Sequence, residues 1–379
     1  MATIVKGEKR GRPGKWIVDY RDPMGERRWK TFDTRREAED YIAEVIPQSR
    51  QRIAPTMDRD MTVQEYADHW LKAIRHGVKE STVTTYEAHF SRNILPVFGT
   101  LKVRELDRGR IKRFYVNLGA RLSKASVKLV HATLSGMLTS AVDDGLLLAN
   151  PADKLTKKLK LAKTKAQRQE DVKAFTREQR DRFLDTAKRV EPDFYTQFLC
   201  LFMTGLRLGE SLGLEWDDLQ ERSMCVARTV DSQTGNVGTP KGGKSRNVDM
   251  NVELIEALRR WKVRQAEKAL KEGRGGELPA RVFPMPSAKS GAWRVRAVFK
   301  RVLKKAGLPD YFSPHCCRHS YASILLSEDG GRLLYVQEQL GHASIQETVD
   351  TYGKWLRKDG RGAVDTLCTT GWKAASAQR

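Results

Sequence analysis

Three short stretches near the C-terminal end decide the fold: residues 313–321 read Ser-Pro-His-Cys-Cys-Arg-His-Ser-Tyr, residues 339–344 read Gln-Leu-Gly-His-Ala-Ser, and residues 348–352 read Thr-Val-Asp-Thr-Tyr. Ser313 is a good N-cap and Pro314 a good first helical residue, so we expect a helix to begin here. Gly341 predicts the end of the next helix. Ser344 with Glu347 has the capping-box pattern and predicts that a further helix follows.

The polar side chains of these stretches suit a phosphate group. His315 and Arg318 are three residues apart and share one face of the first helical turn, where free N–H groups and a partial positive charge favour an anion. Taken singly, such a histidine is more often structural, and a tyrosine such as Tyr352 is more often a core residue. Together with His342, these residues make a poor core but a good phosphate site.

Cysteine and histidine content raises metal binding and disulfides as alternatives. Residues 315–319 contain two histidines and two adjacent cysteines, but this spacing does not match the usual ligand spacing of zinc sites. The five cysteines are odd in number and scattered along the chain. They argue against a disulfide framework and for a reducing compartment.

These motifs resemble the tyrosine recombinase family of phage and mobile-element integrases. The resemblance is carried by His-x-x-Arg-His over residues 315–319, by Leu-Gly-His over 340–342, and by Tyr352 ten positions after His342. The family has another arginine followed three residues later by an acid, and Thr204-Gly-Leu-Arg-Leu-Gly-Glu210 matches it. The resemblance spans most of residues 60–355. It implies a mainly α fold with small β-sheets (α+β).

The resemblance implies a catalytic set made of Arg207, Lys241, His315, Arg318, His342 and Tyr352. A phosphodiester repels nucleophiles, so the site must neutralise charge in the transition state. Arg207 and Arg318 present forks to phosphate oxygens, and His342 adds a hydrogen bond. Tyr352 attacks phosphorus and forms a 3′-phosphotyrosine. We expect no metal and no cofactor.

Proton transfer needs a base and an acid, because an unperturbed tyrosine has a pKa of about 10. His315 is the candidate base, and Lys241 is the candidate acid for the departing 5′-oxygen. Lys241 lies in Thr239-Pro-Lys-Gly-Gly-Lys-Ser245, where the glycines suit a hairpin turn between strands over 224–230 and 245–250. Lys244 stays open as the alternative acid. Glu210 is expected to orient Arg207 and to take no part in the chemistry.

Composition indicates a polyanionic partner. The 379 residues include 69 Lys and Arg against 47 Asp and Glu, a net charge of +22, so nucleic acid is the expected partner. No apolar run approaches the ~20 residues of a membrane span, and residues 1–8 have no signal-peptide pattern. We therefore expect a protein without a membrane segment, in the cytoplasm of a bacterial host and associated with its chromosome.

Four segments are expected along the chain: an arm-type DNA-binding domain over 1–56, a four-helix core-binding domain over 60–155, a basic linker over 156–172, and a mixed α/β catalytic domain with a C-terminal tail over 173–379. The first contains a hairpin of residues 15–20 and 27–32, followed by a helix capped by Thr34. Residues 95–101 are expected to form a turn, and residues 273–292 a loop. Candidate DNA contacts are Arg21, Arg27, Arg28, Lys30, Lys112, Arg113, Lys124 and Lys128. An ordinary solvated surface explains each of these eight equally well.

The function predicted from these features is a site-specific DNA recombinase, an integrase of a phage or integrative element. Its expected partners are double-stranded DNA at core and arm attachment sites, three further copies of the chain in a homotetramer on DNA, and an excisionase or host DNA-bending protein. The tail, residues 363–372, is expected to dock on a neighbouring protomer. A type IB topoisomerase and a non-catalytic DNA-binding regulator are the alternatives.

Overall fold

The computed structural model describes residues 3–6, 13–21, 27–42, 58, 60–159, 164–232, 234–240, 242–285, 288–327 and 333–356. The chain divides into two compact units, residues 1–162 and 163–379. The described part is mainly helical with three small sheets, so the predicted fold class is confirmed. Within it, no helix is both long enough and apolar enough to cross a membrane.

The first unit begins with an antiparallel sheet of order β1-β2-β3, formed by β1 (Thr3–Lys6), β2 (Trp16–Arg21) and β3 (Arg27–Phe32). The predicted hairpin is therefore confirmed, with Trp16 opposite Phe32. The four-residue strand β1 was not predicted, because it is too short for alternation to be recognised. Helix α1 includes residues 35–42. The N–H of Glu37 donates to Thr34 Oγ1 at 3.2 Å and the N–H of Thr34 to Glu37 Oε2 at 3.4 Å, the predicted box.

The basic residues of β3 are all exposed, although neighbouring residues of the strand point to opposite sides of the sheet. Arg27 donates to Asp19 through Nε at 3.0 Å and Nη2 at 2.8 Å. Lys30 lies over the ring of Tyr41, with Nζ 4.2 Å from the centroid. Arg28 is exposed. The side chain of Arg21 is outside the described part of the chain.

The helical part of the first unit consists of α2 (Val63–Ile74), α3 (Glu80–His89), a π-helical segment (Phe90–Ile94), α4 (Leu95–Phe98), a 3₁₀ turn (Val103–Glu105), α5 (Arg108–Arg121), α6 (Lys124–Asp143) and α7 (Leu155–Lys158). The four predicted helices correspond to α2, α3, α5 and α6. Thr62, Asp107 and Ser123 cap α2, α5 and α6 through their side-chain oxygens. The turn predicted over residues 95–101 is wrong at its start. Residues 90–98 continue the helix, since Pro96 falls in the first turn of α4, where a missing N–H costs little.

Apolar side chains fill the interior of this helical part. Tyr66, Phe90, Phe114 and Leu134 belong to one buried cluster. Four predicted DNA contacts lie on the outside, where the structure exposes Lys112 and Arg113 on α5 and Lys124 and Lys128 on α6.

The second unit consists of α8 (Lys165–Asp171), α9 (Arg177–Val190), α10 (Pro192–Thr204), α11 (Leu208–Gly213), a 3₁₀ turn (Trp216–Asp218), β4 (Ser223–Val226), β5 (Thr229–Val230), β6 (Val237–Gly238), β7 (Arg246–Asp249), α12 (Val252–Lys271), α13 (Ala288–Lys305), α14 (Pro314–Ser327), α15 (Leu333–Leu340), α16 (Ile345–Tyr352) and a 3₁₀ turn (Gly353–Trp355). β4 pairs antiparallel with β7, and β5 pairs antiparallel with β6.

Two predictions for the second unit need correction. The single strand predicted over residues 224–230 is two strands, β4 and β5, in different sheets. The loop predicted over 273–292 ends early, because α13 begins at Ala288. Gly291 misled the prediction: it lies inside α13, where an added Cβ would meet Met285 Cγ at 3.0 Å. This glycine permits close packing and does not mark a turn.

Part of the predicted linker over 156–172 is also helical. Thr164 caps α8, accepting from the N–H of Gln167 at 3.2 Å. Gln169 Nε2 donates to the carbonyl of Val349 on α16 at 3.1 Å. Residues 165–171 therefore pack within the second unit.

Candidate active site

The turn after α10 brings the first arginine to the site. Gly205 ends α10 with φ 64°, a left-handed conformation that favours glycine. An added Cβ would lie 2.7 Å from Tyr321 Cδ1 and 2.9 Å from Leu340 Cδ2. The carbonyl of Gly205 accepts from Arg318 Nη1 at 2.9 Å. The turn thus joins α10 to α14 and sets Arg207 at the N-cap of α11.

Glu210 is a buried carboxylate held between two arginines. Its Oε1 accepts from Arg207 Nη1 at 2.9 Å, and its Oε2 from the backbone N–H of Arg207 at 2.9 Å. Arg246 donates to both oxygens, through Nη1 at 3.1 Å and Nη2 at 2.8 Å. Burial on its own raises the pKa of this carboxyl, but the hydrogen bonds and charges of Arg246 and Arg207 outweigh it and lower the pKa of Glu210 to about 2. Glu210 is therefore ionised and contacts Arg207, and its orienting role stays a prediction.

Arg318 is a buried cation anchored by main-chain carbonyls. It is 2% exposed, and besides Gly205 it donates from Nη2 to the carbonyl of Leu340 at 2.6 Å. Burial first, and then the charge of Arg207, lowers the pKa of Arg318 to about 10. The guanidinium is still charged at neutral pH.

The hydroxyl of Tyr352 contacts an imidazole of α14. Tyr352 is 1% exposed, and its Oη lies 3.0 Å from His319 Nδ1. The ring of His342 lies nearly parallel to the tyrosine ring, with centroids 6.1 Å apart, and His342 Nδ1 is 2.8 Å from Thr348 Oγ1. Burial raises the pKa of Tyr352 to about 12 although the charge of Arg318 lowers it. The nucleophile candidate is thus protonated at neutral pH.

The remaining predicted catalytic residues lie at the edge of this cluster or outside the described part. His315 is exposed, and its ring centroid is 4.6 Å from that of His319. Lys241 lies outside the described residues. Lys244 is exposed after two glycines with positive φ, Gly242 at 102° and Gly243 at 76°. The structure therefore brings Arg207, Arg318, His342 and Tyr352 together around Glu210 and His319.

Sequence reasoning missed two residues of the cluster. His319 was visible next to Arg318, four residues after His315 and so on the same helix face, but only the first histidine was assigned a role. Arg246 had a weaker signal: a buried carboxylate such as Glu210 has room for several donors, so a second cation was to be expected. Among the described residues there is no group of three or more His, Cys, Asp or Glu side chains arranged to hold a metal.

A buried tyrosine lies next to two arginines and two histidines in a helical unit that carries small sheets, and such a set of side chains suits binding and attack of a phosphodiester. Residues 173–356 match the phage integrase family, and residues 62–118 match the phage integrase N-terminal SAM-like domain. The chain belongs to this family of tyrosine recombinases, so it is an enzyme of DNA strand cleavage and rejoining. The sequence-based family prediction is confirmed.

Curated relatives support this assignment. The chain is 30% identical over 333 residues to a XerC-like tyrosine recombinase of Caldanaerobacter subterraneus subsp. tengcongensis, covering 82% of this chain and 83% of the relative. It is 29% identical over 254 residues to the ICEBs1 integrase of Bacillus subtilis, covering 65% and 66%.

Solved structures show the same fold. The Tn1549 transposon integrase in complex with transposon right end DNA has a TM-score of 0.64 at 22% identity, covering 81% of this chain and 99% of that one. A lambda integrase tetramer bound to a Holliday junction has a TM-score of 0.57 at 18% identity, covering 91% and 96%.

Proposed function

We propose that this chain is the integrase of a phage or integrative element, and that it exchanges DNA strands through a 3′-phosphotyrosine at Tyr352. The observation that carries the proposal is the Tyr352 hydroxyl, buried in a cluster with the cations Arg207 and Arg318 and in contact with His319. A tyrosine kept only for packing does not need two arginines whose charges act on its hydroxyl.

The proposed chemistry follows from these charges. Arg207 and Arg318 bind the non-bridging oxygens of the scissile phosphate and stabilise the charge of the transition state. His342 donates a further hydrogen bond to the phosphate. Tyr352 Oη bonds to phosphorus as the bond to the 5′-oxygen breaks. The phosphotyrosine keeps the energy of the broken bond, so a 5′-hydroxyl of another strand displaces it without ATP.

Two proton transfers accompany cleavage. Lys241 is the proposed acid, which gives a proton to the departing 5′-oxygen. The family pattern indicates His315 as the acceptor of the tyrosine proton.

Removal of the nucleophile tests the function. A nicked suicide substrate traps the protein on DNA, so the wild-type chain should form a covalent adduct and Tyr352→Phe none, with equal half-site binding. Tyr335→Phe is the matched control: that hydroxyl donates to Asp249 Oδ2 at 2.9 Å and has no proposed part in the chemistry. An adduct with Tyr352→Phe removes the mechanism, and absence of any adduct with the wild type favours a DNA-binding regulator. Relaxation of plasmid without site preference favours a type IB topoisomerase.

The proposed partners are double-stranded attachment sites and further copies of the chain. The net charge of +22 supports DNA binding, and we propose that residues 1–56 bind arm sites, that residues 60–155 with 173–356 bind the core site, and that a homotetramer forms on two duplexes. An excisionase or host bending protein would set direction. Within a bacterial host, the cytoplasm and its chromosome are the proposed location.

Deletion of residues 1–56 tests the arm assignment. The shortened chain should still cleave a short core site but fail to recombine full sites that include arms. Normal recombination of full sites by the shortened chain would contradict it.

Residues 363–372 lie outside the described residues. Their proposed docking on a neighbour predicts that a chain ending at residue 360 binds half-sites but forms no tetramer in native gels, and a normal tetramer would refute it.

A further inference from the structure

His319 is the imidazole in direct contact with the proposed nucleophile. Its Nδ1 lies 3.0 Å from Tyr352 Oη, a normal hydrogen-bond distance, and the two rings meet at 62°. His342 uses its own Nδ1 at Thr348. His315 is exposed, and its ring meets the ring of His319 edge-on.

We propose that His319 is a catalytic residue that accepts the proton of Tyr352 during cleavage. As the bond from Oη to phosphorus forms, the hydroxyl proton passes to Nδ1, and His319 becomes an imidazolium. The bond from phosphorus to the 5′-oxygen breaks, and that oxygen takes a proton from the acid, proposed above to be Lys241. Ligation runs the same transfers backwards, with His319 returning its proton to Tyr352. This inference rests on the proposed function.

The surroundings of His319 keep its ring neutral in the free enzyme. Arg318 and His315 of α14, His342 before α16, and Lys354 after α16 all lie close enough to act on its charge. Burial first, and then these groups, lowers the pKa of His319 to about 3, so the ring is neutral and Nδ1 can accept a hydrogen bond. A phosphate bound among these cations adds negative charge next to the ring, which favours the imidazolium. Proton transfer is thereby tied to DNA binding.

His315 suits this step less well. It is exposed, and the ring of His319, in contact with it, is the one that reaches the tyrosine hydroxyl. The family pattern indicates His315, but the two histidines lie four residues apart on the same helix. The contact with the Tyr352 hydroxyl favours His319.

Paired substitutions separate proton acceptance from positioning. In His319→Asn the amide lies near the place of Nδ1 and keeps a hydrogen-bonding group, but it cannot take up a proton. We expect single-turnover adduct formation on the suicide substrate to fall about 10²–10⁴-fold, the usual contribution of general acid–base catalysis. His315→Asn removes the rival acceptor on the same helix face and should lose less of the rate than His319→Asn by the same measure. Added imidazole should restore part of the rate of His319→Ala.

The pH profile of the wild type provides a test that needs no variant. With an internal acceptor whose ring is already neutral, adduct formation should stay level across neutral pH, whereas without one it should rise about tenfold per pH unit up to the pKa of the tyrosine. Wild-type half-site affinity and an unchanged unfolding temperature would show that the variants are folded.

Several results would overturn the inference. One is adduct formation by His319→Asn at the wild-type rate, and another is a larger loss of rate in His315→Asn than in His319→Asn. The third is a rate of the unsubstituted protein that climbs about tenfold per pH unit over the whole pH range. Tyr352→Phe in the same assay identifies which proposal has failed. If Tyr352→Phe still forms an adduct, the proposed function is wrong. If it forms none while His319→Asn reacts at the wild-type rate, only the proposed role of His319 is wrong.

Discussion

The helical core of the first unit and the active-site cluster of the second differ in the kinds of side chain that they bury. In the first, Tyr66, Phe114 and Leu134 pack as apolar groups, and Thr133 is a buried neutral polar residue. In the second, Glu210 and Arg318 are each only 2% exposed and carry charge. Taking an ion out of water costs several kcal/mol even after relaxation. Each buried ion therefore needs hydrogen-bonding partners that offset this cost.

The second unit tolerates these charges because each has several partners. Both carboxylate oxygens of Glu210 accept from arginines, and the guanidinium of Arg318 donates to two carbonyls. Such a network fixes the direction of each group before substrate arrives. Preorganised charge of this kind is usually the largest contribution to catalysis of phosphoryl and acyl transfer.

Removal of Arg246 is the strongest test of this difference. Arg246→Ala leaves Glu210 buried with one arginine, so the free energy of unfolding of the second unit should fall by about 3–5 kcal/mol, and adduct formation should fall with it. Arg246→Lys should lose less stability and less adduct formation than Arg246→Ala, since it keeps the charge but not the two-point contact. Urea unfolding and the suicide-substrate assay measure the two effects.

An exposed pair provides the control for Arg246. Arg301 Nε lies 2.8 Å from Glu191 Oε1 with its side chain 60% exposed, so Arg301→Ala should cost about 0–1 kcal/mol. Equal losses in the two variants would mean that the buried cluster is not what stabilises the second unit.

Substitution of Lys241 should lower the rate of cleavage without lowering the free energy of unfolding. Lys241→Ala should slow cleavage about 10²–10⁴-fold through loss of the acid, and a substrate with a 5′-bridging phosphorothiolate should restore the rate because its leaving group needs no proton. Lys244→Ala, three residues further along the chain, is the control and should show neither effect. Rescue of Lys244→Ala instead of Lys241→Ala would reassign the acid.

Sequence reasoning worked best where a residue type has one physical task. The caps Thr34 and Ser344 were predictable because a short polar side chain satisfies free N–H groups locally. The motif around Arg318 pointed to the cluster through residue type and order. Contacts made across the fold carried no local signal, which is why Arg246 on Glu210 was missed and why the choice between His315 and His319 needed a distance.

The smallest expected effect lies in the helical core. Tyr66 Oη donates to Asp144 Oδ2 at 2.5 Å, joining α2 to the end of α6, and burial followed by Asp144 raises the pKa of this hydroxyl. Tyr66→Phe keeps the ring packing and removes one hydrogen bond to a carboxylate that water still reaches, so the first unit should lose about 0.5–1.5 kcal/mol.

Adduct formation on saturating DNA is the decisive readout for Tyr66→Phe, and it should stay within about twofold of the wild type, because a loss of stability near 1 kcal/mol leaves a domain folded. Tyr115→Phe is the control in the same core, because Tyr115 Oη lies 3.1 Å from His131 Nδ1, a neutral partner. Its loss of stability should be at the lower end of the range of about 0.5–1.5 kcal/mol. A cleavage defect in Tyr66→Phe comparable to that of Arg246→Ala would show that the apolar core and the charged cluster are not separate in function, because a hydroxyl used only for packing would then control chemistry in the other unit.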